Sequence, residues 1–116
     1  LPEGRRPSSA APRYRLRLVL SFTFPGTLFT SSPDASWVFV ALPIDAADEI
    51  LDAVPRRPGF GSVRVVAGIG SIRWGTSIFP SRELGTYVLP VKRAVRDEAR
   101  IDIGDTVEVT LELVER

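Results

Sequence analysis

The segment Ser71-Ile72-Arg73-Trp74-Gly75-Thr76-Ser77 gathers hydroxyls, a guanidinium and an indole on a glycine-containing stretch. Such a set can build a small binding site: the indole offers a stacking face, Arg73 pairs an anion, and the hydroxyls hydrogen-bond. With Phe79 before Pro80, the candidate ligand-binding residues are Arg73, Trp74, Thr76, Ser77 and Phe79. The plainer use of the same residues is packing, with Trp74 filling a core and the hydroxyls satisfying backbone groups at a bend. A second cluster is cationic. Lys92, Arg93, Arg96 and Arg100 fall within one helical repeat, and between Pro55 and Arg100 nine basic residues stand against three acidic ones. Basic patches neutralise phosphates, so Lys92, Arg93 and Arg96 are candidates for nucleic-acid contact. The same charges also suit a solvated face, with Arg93 and Asp97 an i,i+4 pair and Arg96 and Arg100 complementing a helix C-terminus.

Asp45, Asp48, Glu49 and Asp52 imitate catalytic or cation-binding carboxylates. Their spacing is that of a wet helix face, with no calcium-loop pattern. The 116 residues include no Cys, His, Met, Asn or Gln. Zinc, copper, haem and iron–sulfur sites lose their usual ligands, so neither metal nor cofactor is expected. Ser-His-Asp and Cys-His nucleophiles are excluded, leaving Ser71 or Ser77 with Lys92 as the remaining nucleophile arrangement. A non-catalytic protein is expected.

These residues need elements to hold them. The length suits one domain, net charge is +1, and no 18-residue apolar run could span a membrane. Residues 1–13 hold Pro2, Pro7, Pro12 and Gly4 without apolar periodicity, and read as a disordered leader or linker before a single domain over 14–116. From Tyr14 through Leu16, Leu18, Leu20, Phe22 and Phe24 the period is two, which predicts a strand. Pro25-Gly26 predicts a turn, Thr27 to Thr30 a return to the sheet, and Ser31 to Asp34 a second break. The continuous apolar run Ser36 to Leu42 predicts a central strand buried on both faces. After Pro43, an apolar stripe of Ile44, Ala47, Ile50, Leu51 and Val54 predicts a helix ending at Pro55. Phe60 to Pro80 predicts two or three short strands bent by glycine, and Tyr87 to Leu89 another. A second helix then carries Val91, Ala94, Val95 and Ala99 inward. Gly104-Asp105 turns the chain into a strand alternating at Val107, Val109, Leu111 and Leu113. The unit strand–Leu-Pro–helix occurs twice, at Leu42-Pro43 and Leu89-Pro90, offset by 47 residues. As a repeat it implies a pseudo-two-fold barrel with a helix capping each end.

Leu89-Pro90, Arg93, Arg96, Ile101, Ile103, Gly104-Asp105 and Val107 resemble the half-barrel motif of swapped-hairpin transition-state regulators and antitoxins, in which arginines contact DNA. A longer resemblance runs from Tyr14 onward. Trp37 to Pro43, Gly59 to Val65, Trp74 to Pro80 and Tyr87 to Arg96 are similar, in order, to the motifs of an uncharacterised bacterial and archaeal family of double-split-barrel domains. That family is a domain of unknown function, sometimes fused to a bacteriocin-protection helical domain; it implies a fold and no activity.

The expected fold is a mostly β, double-split barrel with two short capping helices. The first functional expectation is a ligand-binding or interaction module at Arg73-Trp74 to Pro80, its partner a small molecule or protein. The alternative is a nucleic-acid-binding regulator using the basic helix, weak and non-specific on net charge; the remote one is an enzyme working through Arg, Tyr and carboxylates. A pocket beside Trp74 favours the first, a convex basic face uniting Arg56, Arg64 and Arg96 the second, and ionisable groups buried in a cleft the third. Monomer or weak dimer, cytoplasmic location and a high-GC bacterial source (14 Arg against one Lys) complete the expectations.

Overall fold

A computed structural model describes residues 17–31, 37–53 and 61–115. Strands β1 (Arg17–Phe29), β2 (Phe39–Ala41), β3 (Val63–Ile69), β4 (Ile72–Ser81), β5 (Thr86–Pro90) and β6 (Thr106–Glu115) join helices α1 (Ile44–Ala53) and α2 (Arg93–Ala99). All strand pairs are antiparallel, and the ring closes in the order β1-β2-β5-β4-β3-β6. The expected leader over 1–13, the Ser32-Pro33-Asp34 break, the helix end at Val54-Pro55, and Arg56, Arg57 and Gly59-Phe60 lie outside the described residues.

Alternation fills the barrel. Phe24 and Leu28 of β1 and Val109, Leu111 and Leu113 of β6 are buried, with Phe22 opposite Leu111 and Phe24 opposite Val109. Closure leaves no strand at the end of a sheet, as small β proteins need, although among the described residues β4 stays unpaired along one edge where it divides between two partners. The predicted turn at Pro25-Gly26 does not form. β1 runs straight through, pairing Pro25 with Glu108 and Gly26 with Val107. The glycine is there for space: its α-carbon faces the barrel interior, and a Cβ would collide with Val40 and stand 3.1 Å from Val109. Pro25 is tolerated because, among the described residues, β2 joins β1 at Leu28 and Phe29 and Pro25 pairs with β6 alone.

Two further expectations are corrected. Ser36 to Leu42 is not a strand buried on both faces: β2 is three residues long, and Val38, Val40 and Leu42 are buried while Trp37 is 61% exposed. Aromatic and β-branched residues suited both faces equally, and parity decided. On α1 the buried residues are Ala46, Ala47 and Ile50, and the stripe members Ile44 and Leu51 are exposed, because a ten-residue helix lying on a narrow barrel presents few positions inward. Ala94 of α2 is likewise exposed, leaving Val91, at the β5–α2 junction, and Val95 as the buried anchors. The glycine-rich region gives two strands, not three. They meet at a two-residue Gly70-Ser71 turn, with Ile69 paired to Ile72 and Gly70 at φ +62°.

β1 and β4 each belong to two sheets. β1 pairs β6 over Arg17 to Thr27 and then β2 at Leu28 and Phe29; β4 pairs β3 over Ile72 to Ile78 and then β5 over Phe79 to Ser81. This is the double-split arrangement. The repeat is realised in the topology, since exchanging β1 with β4, β2 with β5 and β3 with β6 leaves the ring order unchanged. Ala41 pairs Val88, 47 residues on, so the two copies meet at that pair. α1 packs against β1 and β5, and α2 against β4.

After α2, Arg100 adopts the left-handed conformation at the C-cap, and Gly104 stands at φ +95°, donating its N–H to the Leu28 carbonyl at 2.8 Å. Nothing lies within 4 Å of a Cβ built on Gly104, so the cost of a side chain there is backbone strain alone. Gly104→Val is expected to destabilise by about 1–3 kcal/mol in thermal or urea unfolding, with Gly104→Asn much milder.

Candidate functional site

Side chains one apart on a strand point to opposite faces, and this divides the Trp74 segment. Trp74 and Thr76 share the inward side with buried Ile78, whereas Arg73, Ser77 and Phe79 lie on the outer side. Trp74 is half-buried and packs against the core. Arg73 is committed elsewhere: it spans Gly68 to pair with Glu112 of β6 at 3.1 Å. A Cβ on Gly68 would collide with the Thr110 hydroxyl and stand 3.3 Å from the Arg73 guanidinium. The glycine therefore gives the Arg73 side chain its path across the barrel wall.

The opening lies on the inward side. Among the described residues, β4 has a strand partner over Ile72 to Ile78 only on its β3 edge. In an antiparallel pair, alternate residues turn N–H and C=O toward and away from the partner, so half of the backbone groups of residues 73–77 face the split. Among the described residues no backbone group of 73–77 is bonded across it. Trp74, Gly75 and Thr76 form one wall of a cavity of about 420 Å³, Trp37 and Val38 another, and Pro90 to Arg93 with Arg96 the third. The volume falls within the range of roughly 300–1,000 Å³ usual for small-molecule sites. Two clusters that the sequence separates, the Trp74 segment and the basic helix, thus share one cavity.

Its groups are arranged. Phe39 stacks on one face of the Trp37 indole (centroids 6.1 Å apart, planes at 17°), and Phe29 supports Phe39 at 6.0 Å. Arg96 donates its Nε–H to the Val91 carbonyl at 3.1 Å, which fixes the side chain and leaves the two terminal nitrogens for an anion. Lys92 is exposed and has no side-chain hydrogen bond at the helix start. Arg93 meets Asp97 only at 3.9 Å, with both side chains largely exposed. Among the described residues, three cations and no carboxylate line the cavity.

The remaining candidates disperse. Asp45, Asp48, Glu49 and Asp52 are exposed on α1. Arg64 is on the outer wall of β3, opposite Ser77. Ser71 occupies the hairpin turn, and neither it nor Ser77 lines the cavity that Lys92 lines. Among the described residues no three of His, Cys, Asp and Glu come together as a metal site would need. Burial raises the Tyr87 phenol above its usual pKa of 10.0, but it stands on β5 outside this cavity.

Trp37, Val38 and Val91 were not anticipated as site residues. A signal for Trp37 existed: once Val38, Val40 and Leu42 point inward, residue 37 must point outward, leaving an indole in solvent. The model of a family described as a domain of unknown function (DUF1905) matches residues 24–111, which include every lining residue of the cavity. No curated protein matches the chain. Among the described residues no helix is long and apolar enough to cross a membrane.

Proposed function

We propose that this chain, which belongs to the DUF1905 family of domains of unknown function, is a ligand-binding module whose site is the split between β4 and α2. Its ligand is a small organic anion with a flat apolar body. One observation carries the reading: two indoles and three cations, 37 to 96 in sequence, converge on a single cavity. The body lies against Trp37 and Trp74, and the anionic group meets the terminal nitrogens of Arg96 with Lys92 and Arg93 beside it. Hydrogen bonds to charged groups contribute about 1.5–3 kcal/mol each, so Arg96→Gln is expected to weaken binding at least about tenfold. Naphthalene-2-carboxylate is a suitable probe. It should quench Trp37 fluorescence and shift the amide resonances of Thr76, Lys92 and Arg96. Shifts confined to the α1 side of the barrel would refute the assignment.

The second reading is single-stranded nucleic acid, favoured by the exposed Trp37 beside the cations, since such proteins combine a stacking platform with a charged groove.

A further inference from the structure

We infer that the ligand of this cavity is a nucleoside monophosphate: a nucleobase on the Trp37 platform and a monoester phosphate at Arg96. The inference rests on the ligand-binding reading above and adds three observations.

The first is charge. Lys92, Arg93 and Arg96 face the cavity, no carboxylate lines it among the described residues, and Asp97 offsets Arg93 only at 3.9 Å. The site is therefore matched to about two negative charges. A monoester phosphate supplies −1.5 to −2 near pH 7, whereas a carboxylate or an internal phosphodiester supplies only about one. The guanidinium of Arg96, held through Nε, presents the two-pronged edge that suits a phosphate.

The second is the platform. The Trp37 indole is backed by Phe39 and Phe29, so its plane is set before any ligand arrives, and 61% of the residue is exposed. A large flat ring gains most from such a surface, and every base has a π-face to offer.

The third is the unpaired edge of β4. Backbone donors and acceptors alternate along residues 73–77 and find no strand across the split. A plain aromatic acid would cover these groups without replacing their water. A nucleobase carries both donors and acceptors on its rim and can satisfy them. Val38, Trp74 and Val91 contribute apolar surface beside Trp37, and a cavity of about 420 Å³ has room for one base.

The test is a fluorescence and NMR titration of the protein at pH 7.5 with adenosine 5′-monophosphate, adenosine, inorganic phosphate, naphthalene-2-carboxylate and a tetra-adenylate strand. The monophosphate is expected to bind at least tenfold more tightly than adenosine and than inorganic phosphate. In Arg96→Gln that advantage over adenosine should vanish. Lys92→Ala, an exposed change that spares the fold, should reduce it severalfold. Trp37→Ala should reduce the monophosphate to the affinity of inorganic phosphate. At pH 5, where the phosphate dianion takes up one proton and keeps a single negative charge, binding should weaken severalfold. Equal affinity for the monophosphate and adenosine, or for the monophosphate and inorganic phosphate, overturns the inference. So does tighter binding of the tetra-adenylate, which assigns the cavity to a nucleic-acid strand. If the naphthoate shifts the cavity resonances with no preference for the monophosphate, the nucleotide assignment falls and the ligand-binding reading stands. If no probe shifts them, both fall.

Discussion

Gly26→Val is expected to lower the melting temperature by about 10 °C or more, the largest effect of any single change proposed for the barrel wall. Glycine inside a strand ordinarily costs about 0.5–1 kcal/mol relative to a residue with a side chain, so replacement would normally stabilise. Here the sign reverses. The Cβ points into the barrel against Val40, which is fully buried, and Val109, also fully buried, so neither neighbour can rotate out to solvent. Both are β-branched, with stiff χ1 angles that resist repacking. Overpacking of this kind typically costs about 1–3 kcal/mol and occasionally more, and three added carbons belong at the upper end. Each kcal/mol shifts the melting point by about 4–8 °C in a domain of this size. Gly75→Val on β4 is the control. Nothing lies within 4 Å of its Cβ, and its φ is not positive, so that change should be neutral or slightly stabilising. Thermal melts of the two variants side by side check the argument; equal losses would show that strand glycines act here through something other than the Val40 contact.

That contrast bears on what the sequence could disclose. Local alternation was legible wherever one face is buried, as in β1 around Phe22 and Phe24 and in β6 from Val109 to Leu113. Gly104 was legible too, because a positive φ is a local requirement. Gly26 was not, because its reason is Val40, fourteen residues later and on another strand. A Pro-Gly pair reads as a turn until the partner strand is known to run past it. The Leu-Pro repeat was visible as a pattern, and the ring order gives it meaning, since only a closed barrel shows that the halves interchange.

The site was half legible for the same reason. The chemistry of Trp74, Thr76, Lys92, Arg93 and Arg96 followed from residue types, but membership in one site did not. β4 changes partners at Ile78, which leaves its first half beside α2 instead of a strand. That split brings the two clusters together, and it is a long-range property of the ladder. Arg73, chemically the most attractive anion ligand in its segment, is removed by parity and by Glu112. In the proposed site the basic helix supplies the anion contact in its place, through Arg96.

Replacing Lys92, Arg93 and Arg96 together by alanine is expected to abolish duplex DNA binding, which in the parent should already be weak. The two helices occupy equivalent places under the internal two-fold but carry opposite charge: Asp45, Asp48, Glu49 and Asp52 on α1 against Lys92, Arg93 and Arg96 on and beside α2. A phosphate backbone can approach one side only, because the acidic helix repels it. With Arg100 at the C-cap, four cations neutralise at most about four phosphates there, so the slope of log K against log salt should be no steeper than about −4, at about −0.9 per phosphate. Affinity at physiological salt should then fall in the non-specific range, about 10⁻⁴–10⁻⁶ M, or weaker. In the triple variant only Arg100 remains on this side, and any residual binding should show a slope no steeper than about −1. A small anion in the split behaves differently. On the proposed reading it would be held by Arg96 at short range, partly shielded from solvent, and would stack on Trp37 through a contact that salt does not screen. The measurement is a salt titration of the parent and the triple variant, with duplex DNA and with naphthalene-2-carboxylate. A steep slope and tight, sequence-selective duplex binding lost in the triple variant would reverse the order of the readings and make the basic helix a DNA-docking surface. Shallow duplex binding beside salt-tolerant binding of the small anion places the function inside the split.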